Sequence, residues 1–444
     1  MNYTGGWTAE QEWDYLFSLL TGYGLKGYFI LYLFFGVSHS FAAQDTISLG
    51  ESKSGYDKIV VTGGANSVDA DLKDDDKFKL AWLSINYTDK IFRKYYSSKR
   101  KLNDKYRIAL GTDYMFLNQY ASFSNSETHA TSGIFRFFGT WEAIKVPGKV
   151  NGSLTVKIEN RHSIGNPLTP RNLGYEAGSA MSTASFKHFS WGLTNFYWKQ
   201  MFLDKYVFAL GIMDAGDWID LYPMLNAFKY YLNEAFFNSP AMALPNQGVG
   251  ASFAVKNIIS NFYIAGGIQD ANGDPTYFLI DNFNSFFSVN EFFYWAEAGW
   301  DSRNSILAGE TIHLTYWSQD ARSEAEKEKS SGWCFSASKV FSSFYTVFIR
   351  AAISNGDAAL MHHLIKGGIS AKTFRSDRVG IGLSWGGPND RTRRDQYGLE
   401  VFYNIQLTQH LTITPDVQIT VNPSFNEERD VVGVYSAFRL RYAL

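Results

Sequence analysis

The chain has 444 residues, a formal net charge of −2, 17% aromatic against 19% charged residues, and a mean hydropathy of −0.20. That charge balance gives nothing for a nucleic acid to bind in bulk, and a single cysteine, Cys334, excludes an internal disulfide or a cysteine-built metal site. Twelve Trp, 27 Tyr and 36 Phe exceed the ordinary needs of a soluble core and suit aromatic girdles at two membrane interfaces.

In chain order, Lys26 precedes the apolar run Gly27 to Val37, and Ser38 to Ala43 follow it. The run is too short for a spanning helix, which takes about 20 residues. A basic flank, an apolar stretch and the small-x-small site Ser40-Phe41-Ala42 describe an export signal. Residues 1–42 are therefore expected to be a cleaved signal peptide. Their removal takes away Glu10, Glu12, Asp14 and Lys26 and leaves 40 residues of each sign. Residues 43–105 are expected to be a linker and a short helical extension. Within them, 43–65 is Gly/Ser-rich, and the charged run Asp69 to Lys79 reads as a solvated linker. Residues 80–105 mix Leu80, Leu83, Ile91, Phe92 and Tyr95 with many lysines, which predicts one or two short helices at a barrel mouth.

From Tyr106 to Leu444 a two-residue period recurs. Thr155, Lys157, Glu159 and Arg161 share one face, with Leu154, Val156 and Ile158 opposite. Tyr345, Val347 and Ile349 oppose Thr346, Phe348 and Arg350; Leu399, Val401 and Tyr403 oppose Glu400, Phe402 and Asn404. Leu411, Ile413, Val417 and Ile419 oppose Thr412, Thr414, Asp416 and Gln418, with Pro415 calling for a bulge or strand end. The last strand alternates Val434, Phe438, Leu440 and Tyr442 with Arg439 and Arg441. A dry sandwich core would not take Lys157, Glu159 and Arg161 in a row, whereas a barrel with lipid outside and water inside does. The 339 residues of 106–444, at about 20–22 per strand with its connection, give roughly sixteen strands. The fold class is all-β: a transmembrane antiparallel up-and-down barrel with a short helical N-terminal extension. Asp270 to Asp274 and Glu324 to Ser331 are expected in outer loops, His362-His363 in a loop, and Phe292-Phe293-Tyr294-Trp295 in a girdle.

The middle of the chain adds motifs: Leu210-Gly211-Ile212-Met213-Asp214, then Asp217, Asp220, Tyr222, Asn226, Leu232-Asn233, Phe236-Phe237, Pro245-Asn246-Gln247-Gly248, and Tyr263 to Gly273. Toward the end stand Arg394-Asp395-Gln396, Glu400, Thr414-Pro415-Asp416-Val417-Gln418 and Asn422-Pro423. Over residues 98–444 the chain resembles the carbohydrate-selective, OprB-type porins of Gram-negative outer membranes. The resemblance implies a sixteen-stranded barrel in outer-membrane lipid that passes sugars by diffusion, with a homotrimer as a further expectation and no cofactor.

Sugar passage needs a polar constriction, and facing rows of acids and arginines exclude apolar solutes. Arg136, Glu159, Arg161, Arg350, Glu400, Asp416 and Arg439 are the inward mid-strand charges expected to line it. Asp214 and Asp217, with Asp220, lead into a helix-like stretch, Leu225 to Phe237, that can fold inward and narrow the pore. The three acids lack the spacing of a calcium loop, so no metal is expected. Two other readings stand beside the sugar porin. One is a general, anion or amino-acid porin without sugar selectivity. The other is an outer-membrane barrel enzyme of phospholipase or protease type, which would need a nucleophile or an acid/base pair at a barrel rim.

Overall fold

A ribbon with one apolar and one charged face is stable where lipid and water meet it on opposite sides, and it must close on itself because lipid offers no partner for an open edge. The computed structural model describes residues 52–83, 86–179, 181–302, 310–341, 344–425 and 431–444. The expected signal peptide, 1–42, lies outside the described residues. Sixteen antiparallel strands run β1 (Ile108–Ala121), β2 (His129–Val146), β3 (Val150–Ser163), β4 (Phe189–Phe202), β5 (Tyr206–Met213), β6 (Gly248–Val255), β7 (Phe262–Asp270), β8 (Phe292–Asp301), β9 (Thr311–Gln319), β10 (Ser330–Phe341), β11 (Tyr345–Asn355), β12 (Met361–Lys372), β13 (Arg378–Pro388), β14 (Gln396–Gln406), β15 (Leu411–Val421) and β16 (Val432–Ala443). Each strand pairs with its chain neighbours, and β1 closes the ring on β16 from Asp113 opposite Ala443 to Ala121 opposite Tyr435.

The expected alternation holds strand by strand. On β13, Ile381, Leu383 and Trp385 face outward and exposed while Gly380 and Gly382 face in. On β16, Arg439 and Arg441 are buried toward the lumen. The two ends of the barrel differ. At one end β2–β3, β4–β5 and β14–β15 join through the short turns 147–149, 203–205 and 407–410. At the other end the connections 164–188, 214–247 and 271–291 are long, and they hold α3 (Pro170–Glu176), α4 (Glu234–Phe237) and α5 (Leu279–Ser288). Short periplasmic turns and long outer loops are the rule for such barrels. Asp270 to Asp274 and Glu324 to Lys329 lie at the long-loop end, as expected, with Ser330 and Ser331 already in β10.

Several expectations need correcting. Residues 86–106 form one 21-residue helix, α2 (Asn86–Tyr106), instead of one or two short ones, against the short-turn end where Phe92 and Tyr96 meet His410. The run Asp69 to Lys79 is no solvated linker: it starts with α1 (Val68–Asp75), capped by Ser67, and Asp69, Asp71 and Asp76 are buried. Val68 and Leu72, one turn apart on α1, pack with Tyr56 on Ala109 and Phe138 of the β1–β2 wall. Pro415 neither bulges nor ends β15; its register with β16 runs unbroken, and only the pairing with β14 lapses where Tyr403 would meet the missing N–H. His362 and His363 sit in β12, beside a register shift between Met361 and His363. Tyr294 faces outward as a girdle residue, but Phe293 and Trp295 point inward, Phe293 stacking on Trp317. Leu225 to Phe237 is helical only over α4; elsewhere the N–H groups of Leu225, Asn226, Phe228, Lys229 and Tyr230 bond within the connection, and Glu400, Asn404 and Arg439 of the wall hold Leu232 N, Asn233 N, Lys229 O, Ala227 O and Tyr230 O.

Candidate functional site in the barrel lumen

Two segments enter the lumen. The first is the β5–β6 connection, 214–247. It turns at Asp220, a non-glycine residue in the left-handed region (φ 51), a conformation that asparagine and aspartate tolerate best. Its apolar side chains, among them Trp218, Leu221, Tyr222, Tyr231 and Phe236, pack on Phe348, Phe402, Trp317 and Leu364 of the wall. Inward strand charges capture its backbone. Glu400 accepts from Leu232 N at 2.5 Å and Asn233 N at 3.1 Å. Arg350 donates to Phe236 O and Asn238 O, both at 3.2 Å, and pairs with Asp220. Arg439 donates to Ala227 O and, at 2.8 Å, to Tyr230 O. Asp416 accepts from Gln418 at 3.2 Å, and Gln418 Oε1 accepts from Asn233 at 3.1 Å. Burial alone would raise the Asp220 carboxyl, but Arg350 outweighs it and holds the group well below the usual carboxylate range.

The second segment, 52–83, enters from the short-turn end. Gly64 N donates to Asp217 O at 2.9 Å and Asn226 donates to Ala65 O at 2.9 Å, so the two segments lock together. Its aspartates meet cations around the lumen: Asp69 pairs with Lys199, Asp71 with Arg136 at 3.1 Å and Lys229 at 2.9 Å, and Asp75 with Arg441 at 2.6 Å. Asp113 of β1 closes the network by accepting from Arg136 at 2.9 and 2.6 Å and from Arg441 at 2.8 Å. Burial pushes Asp75 up, yet Arg441 and Lys229 outweigh it and hold the carboxyl well below its usual range. Burial likewise opposes charge on Lys229, but Asp71, Asp74 and Asp75 hold its ammonium well above the usual range.

Two of the spaces these segments leave lie along the β2–β4 wall, and a smaller one of about 50 Å³ lies against β5–β8 beside Val207, Tyr263 and Trp295. A cavity of about 330 Å³ opens beside Arg136, Lys157, Glu159, Arg161, Asp214 and Asp217, with Arg171, Lys187, Glu234 and Phe228 completing its lining. A second, of about 200 Å³, lies toward the short turns beside Asp69, Asn103, Arg107, Thr140, Ser153 and Lys199. Along β3 the wall steps from Arg161, Glu159 and Lys157 in the first cavity, past buried Thr155, to Ser153 in the second. At about 3.4 Å per residue, Lys157 and Ser153 are about 14 Å apart. The β3–β4 register shifts at Lys157/Ile158 and again at Glu159/Arg161. Such bulges turn side chains out of the regular pleat. Glu159 accepts from Arg161 at 2.8 and 2.5 Å and lies 3.9 Å from Lys157. The Arg161 guanidinium sits 5.0 Å from the Phe189 ring centre. Burial raises the Asp217 carboxyl to about 7, Asp214 adding to the rise and Lys157 opposing it; Asn195 donates to Asp217 at 3.3 Å.

The nine expected constriction residues thus divide. Arg136, Glu159, Arg161, Asp214 and Asp217 border one cavity. Arg350, Glu400, Asp416 and Arg439 lie beneath the inward connection and bind it or its partners. Sequence reasoning missed Lys199, Lys229 and Asp113, and it left Asp69, Asp71 and Asp75 outside the barrel. A helix signal was available for α1: Ser67 as a cap, followed by Val68 and Leu72 four apart.

No curated protein sequence matches the chain. Among solved structures, OprB from Pseudomonas putida is similar over 79% of this chain and 97% of that one, at 15% identity and a TM-score of 0.59. A triple mutant of the Rhodopseudomonas blastica porin aligns over 76% of this chain and 100% of that one, at 12% identity and a TM-score of 0.47. Residues 151–441 match the family described as carbohydrate-selective porin, OprB family, a narrower span than the motifs suggested, with α1, α2, β1 and β2 outside it. With the closed sixteen-stranded ring and the polar lumen, that match means that the chain belongs to the carbohydrate-selective OprB porin family.

Proposed function

We propose that sugars cross this outer-membrane porin along the β2–β4 wall, between strand β3 and the two inserted segments, and that Arg136, Glu159, Arg161, Asp214 and Asp217 are the charges they meet. The observation that carries this reading is the placement of the two cavities on either side of Thr155 on one wall, while the opposite interior is filled by the apolar packing of 214–247. Sugar hydroxyls both donate and accept. The Arg161–Glu159–Lys157 row supplies both functions within one strand, and Phe228 offers an apolar face for a pyranose ring. The four remaining charges hold the constriction in shape without bordering the path. Passage is passive, without a catalytic step or cofactor.

The reading also divides the chain into a signal peptide, 1–42, a lumenal and periplasmic N-terminal region, 43–105, and the barrel, 106–444. Assembly as a homotrimer belongs to it as well, and is checked by the mass of the detergent-solubilised complex. Planar-bilayer conductance with added saccharides tests the path. A sugar should block the ion current in a concentration-dependent way, and Glu159→Ala or Arg161→Ala should weaken that block by an order of magnitude. Equal block in wild type and both variants would place the path elsewhere, and block by amino acids or anions in preference to sugars would indicate another selectivity.

A further inference from the structure

We infer that α1 is the selectivity element of this pore: its aspartates cancel a ring of lumenal cations and keep a channel lined with arginine and lysine from being anion-selective. The observations begin with where the cations come from. Arg136 stands on β2, Lys199 on β4, Arg441 on β16, and Lys229 on the inward connection. All four converge on one helix, meeting Asp71, Asp69, Asp75 and, for Lys229, both Asp71 and Asp74 at 2.9 Å. The barrel wall itself answers them with Asp113, shared between Arg136 and Arg441. Four cations against one wall carboxylate would give the lumen a positive potential; the helix acids remove it.

The match is built, not incidental. Asp69 and Asp71 are almost wholly buried, as are Arg136 and Lys199. A buried ion whose partner is removed stays buried and uncompensated, so these groups require one another. The apolar side of α1, Val68 and Leu72 with Tyr56 nearby, seats on Ala109 and Phe138. That seat fixes which way the acids face. Asp69 and Lys199 both border the cavity on the short-turn side, and Arg136 borders the other, so paired charges line both cavities of the proposed path. In so narrow a site, one uncompensated charge dominates the potential that a passing ion feels.

The inference rests on the path along the β2–β4 wall, but its test uses salt alone, so it fails independently of the sugar block. The full-length porin is inserted in planar bilayers, and the reversal potential is read in a tenfold KCl gradient for wild type and for Asp69→Asn/Asp71→Asn/Asp75→Asn. The wild type should discriminate weakly between the ions, and the variant should move toward the chloride equilibrium potential, with a severalfold rise in conductance if the helix also leaves the lumen. Heat-modifiable electrophoretic mobility reports that the barrel has formed. If the triple variant does not assemble, Asp69→Lys decides: alone it should favour chloride, and combined with Lys199→Asp, which restores the pair in reverse, it should return to the wild-type potential. A role in packing alone would not reverse with the swap. Reversal potentials unchanged across these variants would overturn the inference.

Discussion

Arg161 and Arg439 are the same residue type on the same inward face, yet their neighbours set them to different work. Arg161 borders the cavity beside Glu159, whereas Arg439 spends its donors on Ala227 O and Tyr230 O beneath the inserted connection. Asp217 is a cavity residue whose state changes near neutrality. Its carboxyl, raised to about 7 first by burial, is mostly protonated at pH 6 and mostly ionised at pH 8. It borders the cavity, so cation permeability relative to chloride should step up across that window, and Asp217→Asn should shrink the step to the part that Lys187, lowered to about 8 by burial on the same cavity, contributes; a bilayer reversal-potential series in pH reads both. The stability sign follows from the same shift. Below about 4 the folded and unfolded chains both hold the proton. Between about 4 and 7 the unfolded chain has released it and the folded one has not, so folding loses ground as pH rises, and above about 7 the loss is complete. Asp217→Asn should remove that loss, and denaturant midpoints for the two proteins should diverge between pH 4 and 7. Equal pH slopes would refute the assignment.

At the scale of elements, the lumen is shaped by two insertions that the wall grips through polar groups. Arg350 is the central grip on 214–247, holding Asp220, Phe236 O and Asn238 O together. Arg350→Ala leaves the buried Asp220 carboxylate with His313 and a shortened set of donors. Breaking a buried pair from one side costs about 3–5 kcal/mol, so the connection should loosen and single-channel conductance should rise; an unchanged conductance would count against its holding role. Gly63 marks where the insertions touch: a Cβ there would stand 2.9 Å from Asp217 O, a backbone atom that cannot swing aside. Gly63→Val should push the N-terminal segment from its seat and widen the pore in the same measurement. The strands were legible in the sequence because Thr155 to Arg161 or Leu399 to Asn404 carry their own period. The insertions were not. Leu232 takes its shape from Glu400, and Asp71 from Arg136 and Lys229, partners far along the chain that leave no local pattern. A run such as Asp69 to Asp76 has the composition of a solvated tail until four cations are placed around it.

For the whole molecule, the outer surface is organised by depth. Trp141, Phe202, Phe262, Phe341, Tyr345 and Phe374 are exposed near the short turns, and Tyr120, Trp191, Trp333 and Tyr397 near the long loops. Between the two rows lie exposed aliphatic residues such as Ile349, Ile365 and Leu383. Two aromatic rows bounding an aliphatic belt are what a barrel needs to hold its depth in a bilayer. The closed ring then forces a sharp contrast between neighbours in sequence. Leu383, 63% exposed, meets hydrocarbon, while Gly382 beside it faces the packed interior against Phe236. Leu383→Arg should therefore cost about 2–4 kcal/mol, the expected cost of an arginine near the bilayer midplane, whereas Leu383→Val should cost much less. Guanidinium unfolding of the vesicle-inserted protein measures both. An arginine tolerated at Leu383 without loss would mean that this belt does not face lipid, and the depth assigned to both aromatic rows would fall with it.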